Sequence, residues 1–136
     1  MKLPSLSELL VYENRQVIQY FCHYHSPFSY TKAKQLFIDL LAWMWLKVYR
    51  QNHHQDTYLF GPLLILDDMW HAFILHTPDY VAFCNHYFEA YFHHHVEPIG
   101  FEHNLSVIEL ESFLKDCFDS LGEAWVMRYF SELVDN

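Results

Sequence analysis

A dense set of metal-ligating side chains lies in the stretches DDMWHAFILHTPDYVAFC (67–84) and YFHHHVEP (91–98). Aspartate, histidine and cysteine supply carboxylate oxygen, imidazole nitrogen and thiolate sulfur. These are the ligands that Zn²⁺ and other borderline metal ions accept in proteins. We therefore predict that this part of the chain binds a divalent metal ion, with Zn²⁺ or an Fe-like ion as the candidates. The candidate ligands are Asp67, His71, Cys84, His93 and His94.

The spacing of the first two candidates fits one face of a helix. Asp67 and His71 are four residues apart, so their side chains are neighbours on a helix surface. A carboxylate commonly orients a histidine ligand through its second ring nitrogen, so Asp67 is expected either to bind the metal or to orient His71. If helices at 67–76 and 78–92 form an antiparallel pair, His71 faces Cys84.

Their positions along this helix pair divide the candidate ligands into two groups. His71 and Cys84 lie near the middle of the helix pair, whereas Asp67 and the histidines at 93–95 lie nearer its open end. Five residues of helix correspond to about 7.5 Å, at a rise of ~1.5 Å per residue. One ion can therefore join both groups only if the loop at residues 93–98 folds back.

Two alternatives to simple metal binding stay open. In the first, the chain is a non-catalytic protein-interaction module in which Asp67, His71 and Tyr80 form an internal hydrogen-bond network. Asp67 is also in position to cap a helix, and Cys84 is also typical of a small buried hydrophobe. The two interpretations differ in the groups that the imidazole nitrogens contact. Metal binding requires them to converge on one point at ~2–2.3 Å, whereas a network bonds each to a carbonyl or carboxylate.

The second alternative is a metal-dependent enzyme of unknown reaction. The sequence contains no catalytic triad that would define one. A nucleophilic pair of Cys84 and His71 requires an exposed thiol with a lowered pKa. Because Cys84 follows Phe83 on an aromatic-rich helix face, its thiol is expected to be buried instead.

The elements that must position these residues are all predicted to be helical. Only 3 residues are glycine and 5 are proline, which argues against a β-barrel or sandwich, since those folds need many tight turns. Apolar periodicity predicts one all-α domain over residues 1–136, a bundle of about six helices around a central helix at 30–51. The other helices are expected at 5–24, 67–76, 78–92, 105–120 and 122–134.

Local signals mark several helix boundaries. Ser5 and Glu8 have the spacing of a capping box. Asp67 and Thr77 are in position to cap the next two helices, and Pro78 follows at a first turn. The apolar segment at 58–66 is expected to be a buried extended connector, and 93–104 is expected to be a loop.

The charge distribution excludes one class of partner. Lys and Arg total 8 against 17 Asp and Glu, which gives a net charge of −9. Between Arg50 and Lys115 there is no Lys or Arg, but there are nine acidic residues and nine of the eleven histidines. A segment without fixed cations repels phosphate backbones and attracts cations, so nucleic-acid binding is not expected.

The cysteines and the apolar runs predict a soluble cytoplasmic protein. Three cysteines lie far apart without a CxxC motif, which indicates reduced thiols. We expect no secretory signal, because the first residues lack a long apolar run. The most apolar stretch, at 40–46, is far shorter than the ~20 residues that a membrane span needs. The sequence leaves a protein partner and the oligomeric state open.

The string LDDMWHAFILHTPDYVAFCNHYFEAYFHH (66–94) resembles the hallmark region of the small bacterial glycine-rich domain-containing protein-like family. More remotely, it is similar to the domain of unknown function in plant glycine-rich domain proteins. The resemblance covers about 30 of 136 residues. It implies no established enzymatic activity, but it implies a shared cluster at positions 67, 71, 77, 80, 84, 93 and 94.

The chain departs from that pattern in three places. The family usually has a glycine after the aromatic residue at 88, where this chain has Glu89. Plant relatives commonly have a second histidine where this chain has Phe73. Bacterial relatives reach a proline sooner after the paired histidines, whereas here His95 and then Pro98 follow. Two of these differences concern the chain after residue 88, which must bring His93 or His94 to Asp67.

Overall fold

The computed structural model describes the backbone of residues 1–134 and the side chains of residues 1–131. Within residues 1–134 the secondary structure is helical and contains no strand, so the predicted all-α bundle is confirmed. A 3-10 turn at Gly61–Leu63 leads into the fourth helix, and a π turn at Cys117–Leu121 joins the last two. The α-helices are α1 (Leu6–Leu9), α2 (Arg15–Tyr24), α3 (Tyr30–Gln51), α4 (Leu64–Leu75), α5 (Thr77–Phe88), α6 (Val107–Asp116) and α7 (Glu123–Val134).

Helix α3 is the central element, with the bounds that the sequence predicts. Ser29 caps it by accepting the backbone N–H of Lys32 at 3.2 Å. The helix buries side chains on several sides, and it packs against α1, α2, α4 and the π turn. Although α3 is the longest helix, no helix in the described part of the chain is both long and apolar enough to cross a membrane.

The single helix expected at 5–24 is instead two helices. Ser5 does accept the backbone N–H of Glu8, at 3.4 Å, but α1 ends at Leu9. Asn14 then starts α2 by accepting the N–H of Val17 at 3.1 Å. A side chain that satisfies free N–H groups at a new helix start competes with helix continuation, and this explains the break.

The start of α4 differs from the prediction in a way that matters for the candidate ligands. Asp67 was expected to cap this helix, but α4 begins three residues earlier, at Leu64, with no side-chain cap. The connector is extended only up to Phe60. Gly61, at φ 43, then begins the 3-10 turn, and Pro62 favours a helical first turn. Asp67 therefore lies inside the helix, and its carboxylate is not used for capping.

Helices α4 and α5 form the expected pair, but with shifted ends. The connection is His76, so Thr77 is the first residue of α5 and not its cap. Helix α5 ends at Phe88, four residues before the predicted end, because Glu89 adopts the left-handed conformation at φ 55. The chain therefore leaves the helix early enough to turn back toward α4.

The last two helices are close to their predicted positions. Ser106 and Glu109 form a reciprocal capping box at the start of α6. The helix expected at 105–120 is α6 followed by the π turn, and the next one corresponds to α7 within the described residues. The segment between α5 and α6 has no regular secondary structure, as expected for 93–104.

Candidate functional site

Three of the five candidate ligands form one cluster around the carboxylate of Asp67. Nε2 of His94 lies 2.6 Å from Oδ1 of Asp67, and Nε2 of His71 lies 3.4 Å from Oδ2. The two imidazole rings are 4.8 Å apart between centroids. The possible ligand atoms of the three residues all lie within 4.8 Å of one another. In the described part of the chain, this is the one group of three or more such residues with that geometry.

The loop after α5 folds back because Phe92 is buried. Its ring packs against Trp70 with centroids 5.5 Å apart. The hydroxyl of Tyr80 donates to the Phe92 carbonyl at 2.5 Å and accepts from Nε1 of Trp70 at 3.0 Å. With Phe92 held in this way, the ring of His94 packs against that of Trp70 in a tilted arrangement, with centroids 4.3 Å apart, and reaches Asp67. The fold-back that one shared ion requires is therefore present.

The cluster is open to solvent on one side. The side chain of His94 is 16% exposed and that of Asp67 is 26% exposed, whereas His71 is 54% exposed. Asp67 lies in the first turn of α4, where the positive end of the helix dipole stabilises a carboxylate. An ion from solution can reach these side chains without rearrangement of the core.

The other two candidate ligands lie apart from the cluster. Cys84 is fully buried, and this burial raises the pKa of its thiol, although the backbone at Phe92 and the hydroxyl of Tyr80 act in the opposite direction. The expected pairing of His71 with Cys84 is not formed, because His71 is on the solvent side of α4 and Cys84 is in the core. His93 is exposed, with its ring 4.7 Å from that of Tyr91.

A cavity of about 770 Å³ borders the cluster. Its walls are α3, the connector before the 3-10 turn, the first turns of α4, and the loop after α5. Asp67, His71 and His94 form part of one wall. The other lining residues include Trp43, Lys47, Asp56, Thr57, Tyr58, Leu59, Phe60, Leu64, Trp70, His95, Val96, Glu97, Glu102, His103 and Leu105. The candidate metal ligands therefore face a space that can hold a small molecule.

A second polar cluster on the cavity wall was missed by sequence reasoning. The hydroxyl of Tyr58 donates to Oε2 of Glu109 at 2.7 Å, and Nε2 of His103 lies 2.7 Å from the same oxygen. The Tyr58 hydroxyl, the backbone N–H of Ser106 and His103 lower the pKa of Glu109 to about 2. Burial, together with Glu109, raises the pKa of Tyr58 to about 12.

This second cluster fixes the far wall of the cavity. It joins the connector before α4 to the start of α6 and to the loop between α5 and α6. The capping-box spacing of Ser106 and Glu109 is a sequence signal for one half of it. Nothing local in the sequence pairs Glu109 with Tyr58, which precedes it by 51 residues.

Comparison with known proteins places this region in one sequence family. A family model described as UCP032817-like matches residues 12–104. The match covers α2 to α5 and contains all three clustered residues. No curated protein and no solved structure matches the chain significantly. The match does not connect the chain to glycine-rich domain proteins, so that resemblance stays a prediction.

Proposed function

The chain belongs to the UCP032817-like family, whose model spans residues 12–104, and within that stretch we propose a binding site for one divalent metal ion. The ligands are His71, His94 and Asp67. The observation that carries this proposal is the convergence of two imidazole nitrogens and a carboxylate within 4.8 Å. Because the second imidazole comes from a loop that folds back over α4, the cluster joins two separate parts of the chain.

The ligand set favours Zn²⁺ or an Fe(II)-like ion. Two histidines and one carboxylate occur in catalytic zinc sites and in non-haem iron sites, and in both they leave coordination positions for water or substrate. Here those positions would face the 770 Å³ cavity. The absence of Lys and Arg between Arg50 and Lys115 supports the proposal, because α4 and the loop carry no fixed positive charge that would repel the ion.

Metal binding requires a small local movement. Two ligands on a tetrahedral ion, each at ~2.0–2.1 Å from it, are about 3.4 Å apart. The contact of His71 with Asp67 already has this length, at 3.4 Å. The contact of His94 with Asp67 is a hydrogen bond at 2.6 Å, so these two atoms must separate by about 0.8 Å. The proposal therefore includes a shift of His94 away from Asp67 when the metal binds.

The second candidate function is a protein-interaction module with a structural network. The 2.6 Å contact favours it, because Asp67 meets an imidazole nitrogen of His94 and another of His71, as expected for a network without metal. In this case the cluster holds the loop on α4, and the loop presents apolar side chains to a partner. Val96, Ile99 and Phe101 on this loop are all strongly exposed. A metal-dependent enzyme is the third candidate, for which the cavity would supply the substrate space.

The test is a metal titration of chelator-treated protein, with Zn²⁺ and Fe²⁺ followed by calorimetry and elemental analysis. We expect one ion per chain. Zn²⁺ at 100 times its Kd is expected to increase the free energy of unfolding by about 2.7 kcal/mol. Replacing Asp67 or His94 by alanine is expected to weaken binding by more than ~100-fold, since even outer partners of a metal ligand contribute 10- to 100-fold.

The matched control is His93→Ala, which removes an exposed histidine beside His94 without touching the cluster. It is expected to keep the metal affinity of the unmodified chain. If the unmodified chain takes up no stoichiometric metal and its melting temperature is unchanged by metal, the site is a hydrogen-bond network and the second candidate function replaces the first.

A further inference from the structure

Lys47 of α3 and Thr57, which follows α3 by six residues, both line the cavity. Lys47 follows Trp43 by four residues and precedes Arg50 by three, so these three side chains share one face of the helix. Nε1 of Trp43 donates to the carbonyl of Tyr58 at 3.0 Å. The Nε of Arg50 donates to the carbonyl of Asp56 at 3.0 Å. These two bonds hold residues 56–58, which lead into the connector, along α3.

Thr57 is the residue between the two anchored carbonyls, so its backbone passes along the face of α3 that carries Lys47. It lines the same cavity and is 8% exposed. Its Oγ1 is buried and has no hydrogen-bond partner in the described part of the protein. Buried hydroxyl groups are normally hydrogen-bonded, because burying one without a partner is unfavourable. Thr57 therefore has an unused hydrogen-bond donor next to the cavity, for which a ligand that displaces its local packing would supply the partner.

Lys47 also lacks a direct partner. Among the described residues, no carboxylate oxygen lies within 4.0 Å of its Nζ. The Nζ stands 5.8 Å from the centre of the Trp43 ring, a weak cation–π contact. Burial lowers the pKa of this amine, and the negative charge of Asp56 acts in the opposite direction. The ammonium group is thus partly removed from water without an ion pair that compensates the loss.

Four carboxylates also line the cavity, and three of them already have partners, whereas that of Asp56 makes no hydrogen bond or ion pair with the described side chains and acts on Lys47 through its charge. Asp67 contacts the two imidazoles, and the carboxylates of Glu97 and Glu102 accept backbone N–H groups of their own loop. Lys47 is the one Lys or Arg among the residues that line the cavity. Lys47 is therefore the group on the wall with which an anionic group would pair, and Thr57 supplies a further hydrogen-bond donor on the same wall.

We propose that the cavity binds a small organic carboxylate, whose anionic group is held by Nζ of Lys47 and Oγ1 of Thr57, with an apolar body against Trp43, Phe60 and Leu64. One ammonium and one hydroxyl match the two oxygens of a carboxylate. A phosphate carries more charge and more oxygens than these two donors can serve, and Asp56 stands nearby. A volume of about 770 Å³ is typical of small-molecule sites.

The proposal is tested with chelator-treated protein, so that its outcome does not depend on metal binding. The probes are phenylacetate, 3-phenylpropionate and 4-phenylbutyrate, each compared with its neutral amide. Binding is followed by calorimetry and by the fluorescence of Trp43 and Trp70, which both line the cavity. At least one acid is expected to bind saturably, and its amide to bind at least ~10-fold more weakly, as for loss of a charge-assisted hydrogen bond.

Two variants identify the residues that hold the carboxylate. Lys47→Met is expected to weaken acid binding by roughly 10- to 100-fold, and Thr57→Val by roughly 3- to 10-fold. Both variants nearly keep the size of the side chain, and each removes a polar group that has no hydrogen-bond or ion-pair partner in the described part of the protein, so they should fold about as stably as the unmodified chain. Circular dichroism and urea unfolding check this. The matched control is Lys32→Met, an exposed lysine at the start of α3.

Three results would overturn the proposal. In the first, none of the three acids binds. In the second, the amides bind as tightly as the acids. In the third, Lys47→Met binds the acids as well as the Lys32→Met control does. A chain that binds an acid but no metal would keep this inference and lose the proposed metal site, whereas a chain that binds metal but no acid would do the reverse.

Discussion

Two aspartates hold distant parts of this protein together, and they do so in different ways. Asp39 on α3 is 1% exposed and accepts four hydrogen bonds, at 2.6–2.9 Å. Two come from Arg128, one from the hydroxyl of Tyr129 and one from Gln35. Asp67 on α4 is 26% exposed, and its side-chain contacts are with two imidazoles. The first network docks α7 on α3, and the second docks a loop on α4.

The difference between these networks separates a structural carboxylate from a candidate functional one. Asp39 is paired with a guanidinium that stays charged, and its oxygens are saturated with donors. A metal ion cannot compete there without leaving Arg128 unpaired. The partners of Asp67 are imidazoles, which can exchange a proton for a metal ion, and they face a cavity. Both carboxylates are well bonded, so it is the kind of partner and the access to solvent that distinguish them.

The largest expected effect is on stability, and it should separate the two aspartates. Asp39→Ala is expected to lower the free energy of unfolding by roughly 3 kcal/mol. This value is at the lower end of the loss in stability expected when a buried ion pair is broken, because Arg128 keeps some access to water. Asp67→Ala in chelator should cost less than ~1 kcal/mol, as for a partly exposed ion pair. Urea unfolding followed by circular dichroism measures both. Equal losses would mean that Asp67 is as structural as Asp39.

The next effect concerns the support of the Asp67 cluster. Tyr80→Phe removes the hydroxyl that bonds both Trp70 and the Phe92 carbonyl. We expect a loss of about 1–2 kcal/mol in unfolding free energy, since two buried groups lose a partner. Metal affinity should fall as well, because Phe92 positions His94. The control is Tyr91→Phe, whose side chain is exposed. Unchanged metal affinity in Tyr80→Phe would show that the loop is positioned by packing alone.

A smaller gain is expected where α5 ends and the chain turns toward Asp67. Glu89 has φ 55, a conformation that costs a non-glycine residue about 1 kcal/mol. Glu89→Gly should therefore raise the free energy of unfolding by up to ~1 kcal/mol. The exposed pair of Glu89 with Lys2, at 3.7 Å, contributes little. Ala90→Gly, at a position without positive φ, should not stabilise the protein, and thermal unfolding of the two variants makes the comparison.

The smallest effect is a pH dependence at a third carboxylate, Glu109. Its pKa is lowered to about 2 in the folded protein, from an ordinary value of 4.5. Its bonds therefore stabilise the fold above about pH 4.5, and this contribution is lost as the pH falls toward about 2. Glu109→Gln should make the unfolding free energy less dependent on pH in this window. The exposed Glu111→Gln on the same helix is the control, and identical pH profiles for the two variants would contradict the assignment.

The predictions that rested on local sequence agree best with the structure. Helix α3 has its predicted bounds because its wide apolar pattern and its Ser29 cap act within one segment. The i, i+4 pair of Asp67 and His71 could also be predicted from the sequence, since a helix alone brings the two side chains together. The helix boundaries near Asn14, Leu64 and Phe88 were missed. A new cap at Asn14 and a left-handed residue at Glu89 ended two of the predicted helices early, whereas the 3-10 turn at Gly61–Leu63 started α4 before its predicted first residue.

Local sequence could not predict which of the candidate ligands come together. His93 and His94 are adjacent and identical in type, and only the burial of Phe92 under Trp70 decides which of them faces Asp67. Cys84 has the residue type of a ligand, but the packing of α5 places it in the core. The sequence did not single out Lys47 and Thr57, because they come to line one cavity only when residues 56–58 are bonded along α3.

By itself, then, the sequence determined an all-α protein with a long central helix and an acidic, histidine-rich segment without fixed cations. It also determined one helix face that carries Asp67 and His71. These features follow from composition and from periodicity over a few turns, which are local properties of the chain. Only the tertiary structure decided that His94 completes the cluster, that Cys84 does not, and that a cavity lies beside it. Those outcomes depend on contacts between segments far apart in sequence, and such contacts are set by how the whole core packs.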